Sequence, residues 1–173
     1  MAKAVEARSW SKIALMTCPL IVLLGSASGW LSNSGYGNDW FAALLKPNFM
    51  PPGWAFGVIW PILYLLMGIA LAMILAEPPS SRRKLALTLF FIQLALNLAW
   101  SPVFFAGHDI TAAKVIIFMM AAIAAAAAGQ FLRLRRAAGL LMIPYLGWLV
   151  FAATLNSALE RLNPGAGTSL LFG

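Results

Sequence analysis

Apolar residues fall in five long runs, and polar residues collect in the short breaks between them. The runs are Ile13–Leu31, Trp54–Ala76, Leu85–Phe105, Thr111–Leu132 and Gly139–Leu159. As helices, each is long enough to cross about 30 Å of hydrocarbon. None alternates with the period of two that a barrel strand requires. The pattern predicts an all-α integral membrane protein, a five-transmembrane-helix bundle forming one domain over residues 1–162. A loop over 32–53 joins the first two spans, and the Gly-rich tail over 163–173 is expected to fray.

Composition sharpens this. Of 173 residues, 62% are hydrophobic and 10% charged, which excludes an ordinary soluble domain. The net charge of +7 raises nucleic acid as a partner. The cations do not form one face, however, so no nucleic-acid partner is expected. With five spans, Lys3, Arg8, Lys12, Arg82, Arg83, Lys84, Arg133, Arg135 and Arg136 share one side of the bilayer. Lys46, Lys114 and Arg161 share the other, a positive-inside bias. In a bacterial cell membrane the N-terminus is then cytoplasmic, and the first loop and the C-terminus lie outside. The first run admits a second reading. Lys12, the apolar run to Leu24 and the small residues after it also have the shape of a signal peptide. The single cysteine, Cys18, sits in an apolar run and reads as a small buried hydrophobe.

The stretch Trp40–Tyr64 holds three of the seven tryptophans and four of the ten prolines. Proline fixes φ and removes a donor, so the run predicts a rigid, irregular loop. Irregular backbone at membrane depth survives where protein covers it or a cavity is lined by it. A stiff aromatic loop entering a membrane helix therefore predicts a lid over a flat, apolar ligand. Pro61, Pro102 and Pro144 fall in the second, third and fifth spans, where bent helices either splay around a pocket or simply kink. Gly25 with Gly29, Ala95 with Ala99, and Ala124–Ala128 offer small faces for close helix contact, inside a monomer or across a homodimer.

Polar groups inside lipid come next, because they are costly there. Gln93 and Asn97 lie four apart on one helix face, with Trp100 and Ser101 a turn further on. An amide beside an indole orients a ligand's polar group against an aromatic wall; the plain alternative is an interhelical hydrogen bond, and the same holds for Asn156. Trp60, Tyr64, Met67 and Gly68 recur at helical spacing on the second span, as do Tyr145, Trp148, Phe151, Ala152 and Asn156 on the fifth. Trp60 and Trp148 fall a turn or two inside their spans, whereas interface-belt tryptophans belong at the ends. His108, the only histidine, reads as a solvated loop residue; the rival role is a haem ligand or proton shuttle. No metal-ligand spacing, phosphate loop or catalytic constellation stands out. Asp39, Glu77, Asp109 and Glu160 all fall at or beyond span ends, which argues against an ion-coupled transporter.

Together these motifs resemble the TspO/translocator-protein family, the tryptophan-rich sensory proteins. The matching pieces are Trp40-x5-Lys46-Pro47-x3-Pro51-Pro52-Gly53-Trp54, then Trp60-x3-Tyr64-x2-Met67-Gly68. Gln93-x3-Asn97-x2-Trp100-x-Pro102-x-Phe104-Phe105 and Pro144-Tyr145-x2-Trp148-x2-Phe151-x3-Leu155-Asn156 follow in order. The resemblance favours a retained first helix. It implies a five-helix bundle, usually dimeric, with a pocket under the first loop. It also implies porphyrin binding, notably of protoporphyrin IX, with no further cofactor. On this likeness Trp60 and Trp148 flank the pocket and are implicated in light-driven porphyrin degradation, and Asn97 is a pocket amide. Lys46, Pro47 and Pro52 match the lid. Phe41 stands where relatives often have Tyr, which removes a possible hydrogen bond. The sterol-recognition pattern of animal relatives is broken at Ser157, four residues before Arg161, which puts sterol binding in doubt.

The resulting expectation is a membrane receptor or binding protein for porphyrins and similar flat hydrophobic ligands, in tetrapyrrole handling or stress sensing. Its ligand residues are Phe41, Lys46, Pro47, Pro52, Trp60, Tyr64, Asn97, Trp100, Ser101, Trp148, Phe151 and Ala152, with Lys46 pairing a propionate at the mouth. The rivals are a light-dependent porphyrin-degrading enzyme using Trp60 and Trp148, a passive tetrapyrrole or sterol transporter, and a scaffold whose aromatic loop only packs.

Overall fold

The structure is a computed structural model and describes residues 9–167. The described residues hold five helical spans long and apolar enough to cross a membrane. The first is α1 (Trp10–Leu31). A short helix, α2 (Asp39–Ala43), lies in the loop that the proline pattern predicts as wholly irregular. Asn38 explains it: its side chain accepts a hydrogen bond from Phe41 N and caps the turn. The second span, α3 (Gly53–Ala76), starts directly after Pro52. The third, α4 (Ser81–Ser101), is capped by Ser80 Oγ, and the fourth, α5 (Ile110–Leu134), by Asp109 Oδ1. Both caps lie outside the apolar runs, so these helices begin before the runs do.

Prolines divide the remaining elements. α4 ends in a π-helical turn, Pro102–Ala106, in which Gly107 N bonds to Pro102 O at 2.8 Å. Pro102 has no N–H to offer Leu98 O one turn back. Ser28 on α1 supplies that donor, with Oγ 2.6 Å from Leu98 O. The fifth span is two helices, α6 (Arg136–Leu141) and α7 (Ile143–Leu162), broken at Met142. Pro144 therefore opens α7 rather than kinking a continuous helix. Pro61 lies inside α3, and so does Pro19 inside α1.

The spans form a ring. α1 packs on α3 and α4, α4 on α5, α5 on α6 and α7, and α6 back on α3. α1 and α3 touch closely where Thr17 Oγ1 donates to Gly68 O at 2.8 Å. A Cβ at Gly68 would come within 2.7 Å of Cys18 Cα, so only glycine permits this approach. The small faces are used largely inside the monomer: Gly25 faces the Tyr64 ring, and Ala124, Ala127 and Ala128 are buried. Ala125 and Ala126 remain on the outside, beside lipid-facing residues such as Phe118 and Met119.

Cations gather at the end where α1 begins. Arg83 donates to Ile74 O and Leu75 O and so closes the C-terminus of α3. Arg135 pairs with Glu77 at 3.5 Å and lies over the Trp10 ring. Lys3 and Arg8 lie outside the described residues. α3 meets α6 closely at this end and α7 only sparsely beyond it, so the bundle is tied here and opens toward the loop.

Candidate ligand-binding cavity

The loop over 32–53 is built as a fixed cover. Asn38 Nδ2 donates to Phe105 O at 3.1 Å, binding α2 to the π-helical turn. Phe41 is buried among Phe104, Phe105, Ile110 and Leu159. Tyr36 OH donates to Pro51 O at 3.0 Å, and its ring would meet a Cβ at Gly53 at 3.0 Å. Lys46 Nζ donates to the carbonyls of Phe41, Ala42 and Leu44 at 2.7, 3.0 and 3.0 Å. Partial burial lowers its pKa.

The segment after α7 holds the cover down. Asn163 brackets Leu45, accepting from its N–H at 2.7 Å and donating to its carbonyl at 2.9 Å. Trp40 Nε1 donates to Ala166 O at 2.9 Å, and its ring stacks on His108 at 4.6 Å. Residues 163–167 are thus engaged where fraying is expected; residues 168–173 lie outside the described residues. His108, expected in solvent, is a partly covered stacking partner with φ of 55°.

Beneath the cover lies a cavity of about 510 Å³, within the size range of small-molecule sites. Its walls are aromatic. Trp60 stacks on Tyr64 at 5.4 Å and meets Trp148 edge-to-face at 6.2 Å. Trp100 stacks on Phe104 at 4.9 Å across the cavity's other side. One polar chain runs into the core: Tyr64 OH donates to Asn97 Oδ1, Asn97 Nδ2 to Tyr145 OH, and Tyr145 OH to Gln93 Oε1. The distances are 2.9, 3.1 and 2.8 Å. Asn156 Nδ2 bonds to Ile110 O, the interhelical bond anticipated as its plain role. Trp100 Nε1, Trp148 Nε1 and Asn156 Oδ1 are buried without a hydrogen-bond partner, and all three residues line the cavity. Every lining residue is uncharged.

Of the twelve expected ligand residues, Phe41, Trp60, Tyr64, Asn97, Trp100, Ser101, Trp148 and Ala152 line the cavity. Lys46, Pro47, Pro52 and Phe151 do not. Pro52 caps α3, and Phe151 packs on Trp148 and Phe49 beside the cavity. Lys46 directs its donors to three loop carbonyls. The sequence reading missed Gly25, Gly29, Tyr36 and Phe56 as lining residues. Phe56 lies four before Trp60, a spacing that carried the signal. Gly25 was legible only as a helix-contact glycine.

A ring of lipid-facing helices around a covered, partly open aromatic cavity defines a multi-pass membrane binding protein. The chain belongs to the TspO/MBR family, whose sequence pattern matches residues 17–162. It is 40% identical to the Translocator protein of Sus scrofa over 148 residues, covering 83% of this chain and 88% of that one. It is 37% identical to the Tryptophan-rich protein TspO of Chlorobaculum tepidum, covering 72% and 80%. Protein CrtK of Rhodobacter capsulatus is 32% identical over 73% of this chain and 79% of its own length.

Proposed function

We propose that this chain binds porphyrins, protoporphyrin IX among them, in a tetrapyrrole-handling or stress-sensing role. The observation that carries this reading is the cavity walled by Trp60, Tyr64, Trp100 and Trp148 under an anchored cover. Aromatic walls suit a flat conjugated disc, which gains stacking and burial from them. The cell membrane of a bacterium, with the basic end cytoplasmic, is the proposed location. Homodimerisation is proposed through the outward small residues of α4 and α5, Ala95, Ala125 and Ala126.

Protoporphyrin IX added to the purified protein should quench tryptophan fluorescence saturably. Trp60→Phe with Trp148→Phe should weaken binding about tenfold, from two aromatic contacts of roughly 0.5–1 kcal/mol each; unchanged affinity would sink this site. The Trp60–Trp148 contact also supports a second reading, light-driven porphyrin degradation with dioxygen as the oxidant, since two indoles in contact can pass an electron to a photo-oxidised centre. Under illumination the wild type should then form an open-chain product faster than free porphyrin does, and the double variant should not.

A further inference from the structure

A groove of about 500 Å³ runs along the outer side of α5 and α7. It shares no lining residue with the aromatic cavity, so α7 turns one face to each. The lower part of the groove is apolar, with Phe118 and Ala121 on α5 facing Val150 and Ala153 on α7. Phe118 and Val150 are exposed, as lipid-facing side chains are. The mouth lies at the cover end, where α5 begins and α7 ends, and holds Lys114, Glu160 and Arg161. Charged at the membrane surface and apolar below, the groove has the profile of a single lipid molecule.

The charges at the mouth do not balance. Lys114 pairs with Glu160, which also accepts from Thr111 Oγ1 at 2.8 Å. Among the described residues, the Arg161 guanidinium makes no ion pair or hydrogen bond, so one positive charge is left over. Further down, nothing polar is unmet. Thr154 and Ser157 spend their hydroxyl protons on Phe151 O and Ala153 O, at 2.6 and 2.8 Å. We propose that this groove holds one anionic phospholipid, its phosphate on Arg161 and an acyl chain laid along Phe118 and Val150. A guanidinium matches a phosphate with two parallel donors. A zwitterionic choline headgroup would bring its own cation beside Lys114 and Arg161. A sterol would bring no charge and leave Arg161 unmatched.

The test uses the full chain, stripped of lipid in detergent, and counts retained lipids by native mass spectrometry. The probes are dioleoylphosphatidylglycerol, dioleoylphosphatidylcholine and cholesterol, each titrated separately. Phosphatidylglycerol should be retained at one molecule per chain and more tightly than the other two. Arg161→Gln should weaken its retention about fivefold, the usual effect of one basic residue at a membrane surface, and leave phosphatidylcholine nearly unchanged. Arg161→Lys keeps the charge and should restore part of the loss. Val150→Trp fills the groove from its exposed side and should expel the lipid with Arg161 intact. Arg82→Gln, at the other end of the bundle, should change nothing. Equal retention of the two phospholipids overturns the proposal, as does a preference for cholesterol or the absence of any retained lipid. An equal loss in Arg82→Gln and Arg161→Gln also overturns it, since the attraction would then belong to net charge and not to this groove. So does full retention in Val150→Trp, which would place the lipid elsewhere.

Discussion

Gly25 shows how one absent side chain shapes the cavity. A Cβ there would lie 2.1 Å from the Tyr64 ring, so α1 can pass Tyr64 only without one. Tyr64 in turn carries Trp60 on its face and Asn97 on its hydroxyl. Gly25→Val should therefore displace Tyr64, break its bond to Asn97 and lower stability by about 1–3 kcal/mol, the usual range for overpacking. Thermal unfolding in detergent and the porphyrin titration check both consequences. The residues of this site differ in how readable they were. Trp60 and Trp148 stood out because indoles placed inside a span are out of keeping with an interface belt. Lys46 was less readable, because a lone cation beside an aromatic loop reads as an anion partner. Its actual partners, three backbone carbonyls, leave no trace in sequence.

Between elements, some joints close broken backbone. Ser28 on α1 answers the carbonyl left open by Pro102, so the π-helical turn that holds the cover depends on a neighbouring helix. The apolar runs made all five spans legible, since lipid demands long uninterrupted runs. They did not show the break at Met142, because Leu140 to Ile143 is apolar on both sides of it. Nor did they show the anchoring of the cover. Asn163 stands in a Gly- and Pro-rich stretch that reads as loose, while its partner Leu45 is 118 residues away. Asn163→Ala removes both bonds to Leu45. The cover should open more often, and bound porphyrin should dissociate about tenfold faster, from two hydrogen bonds worth roughly 1 kcal/mol together or somewhat more. Stopped-flow displacement measures this; an unchanged off-rate would mean that ligand leaves by another route.

For the molecule as a whole, most of the cations and the cavity lie at opposite ends. Lys12, Arg82, Arg83, Lys84, Arg133, Arg135 and Arg136 mark one end, and the cover closes the other. On the proposed cytoplasmic placement of the basic end, the cavity end would face outward. In a Cys18→Ser background, Ser80→Cys should be labelled by a membrane-impermeant maleimide only after the cells are broken. Gly37→Cys should be labelled in intact cells. The reverse pattern would invert the topology.

The bond between Trp40 and Ala166 spans 126 residues. A ribosome adding roughly 5–20 residues per second therefore takes on the order of ten seconds to make the second partner after the first. Trp60, Trp100 and Trp148 are made within that interval, and between the last of them and Ala166 the basin they complete lacks this clasp. A ligand captured in that window would be covered when Trp40 and Ala166 meet, without having to pass the fastened cover.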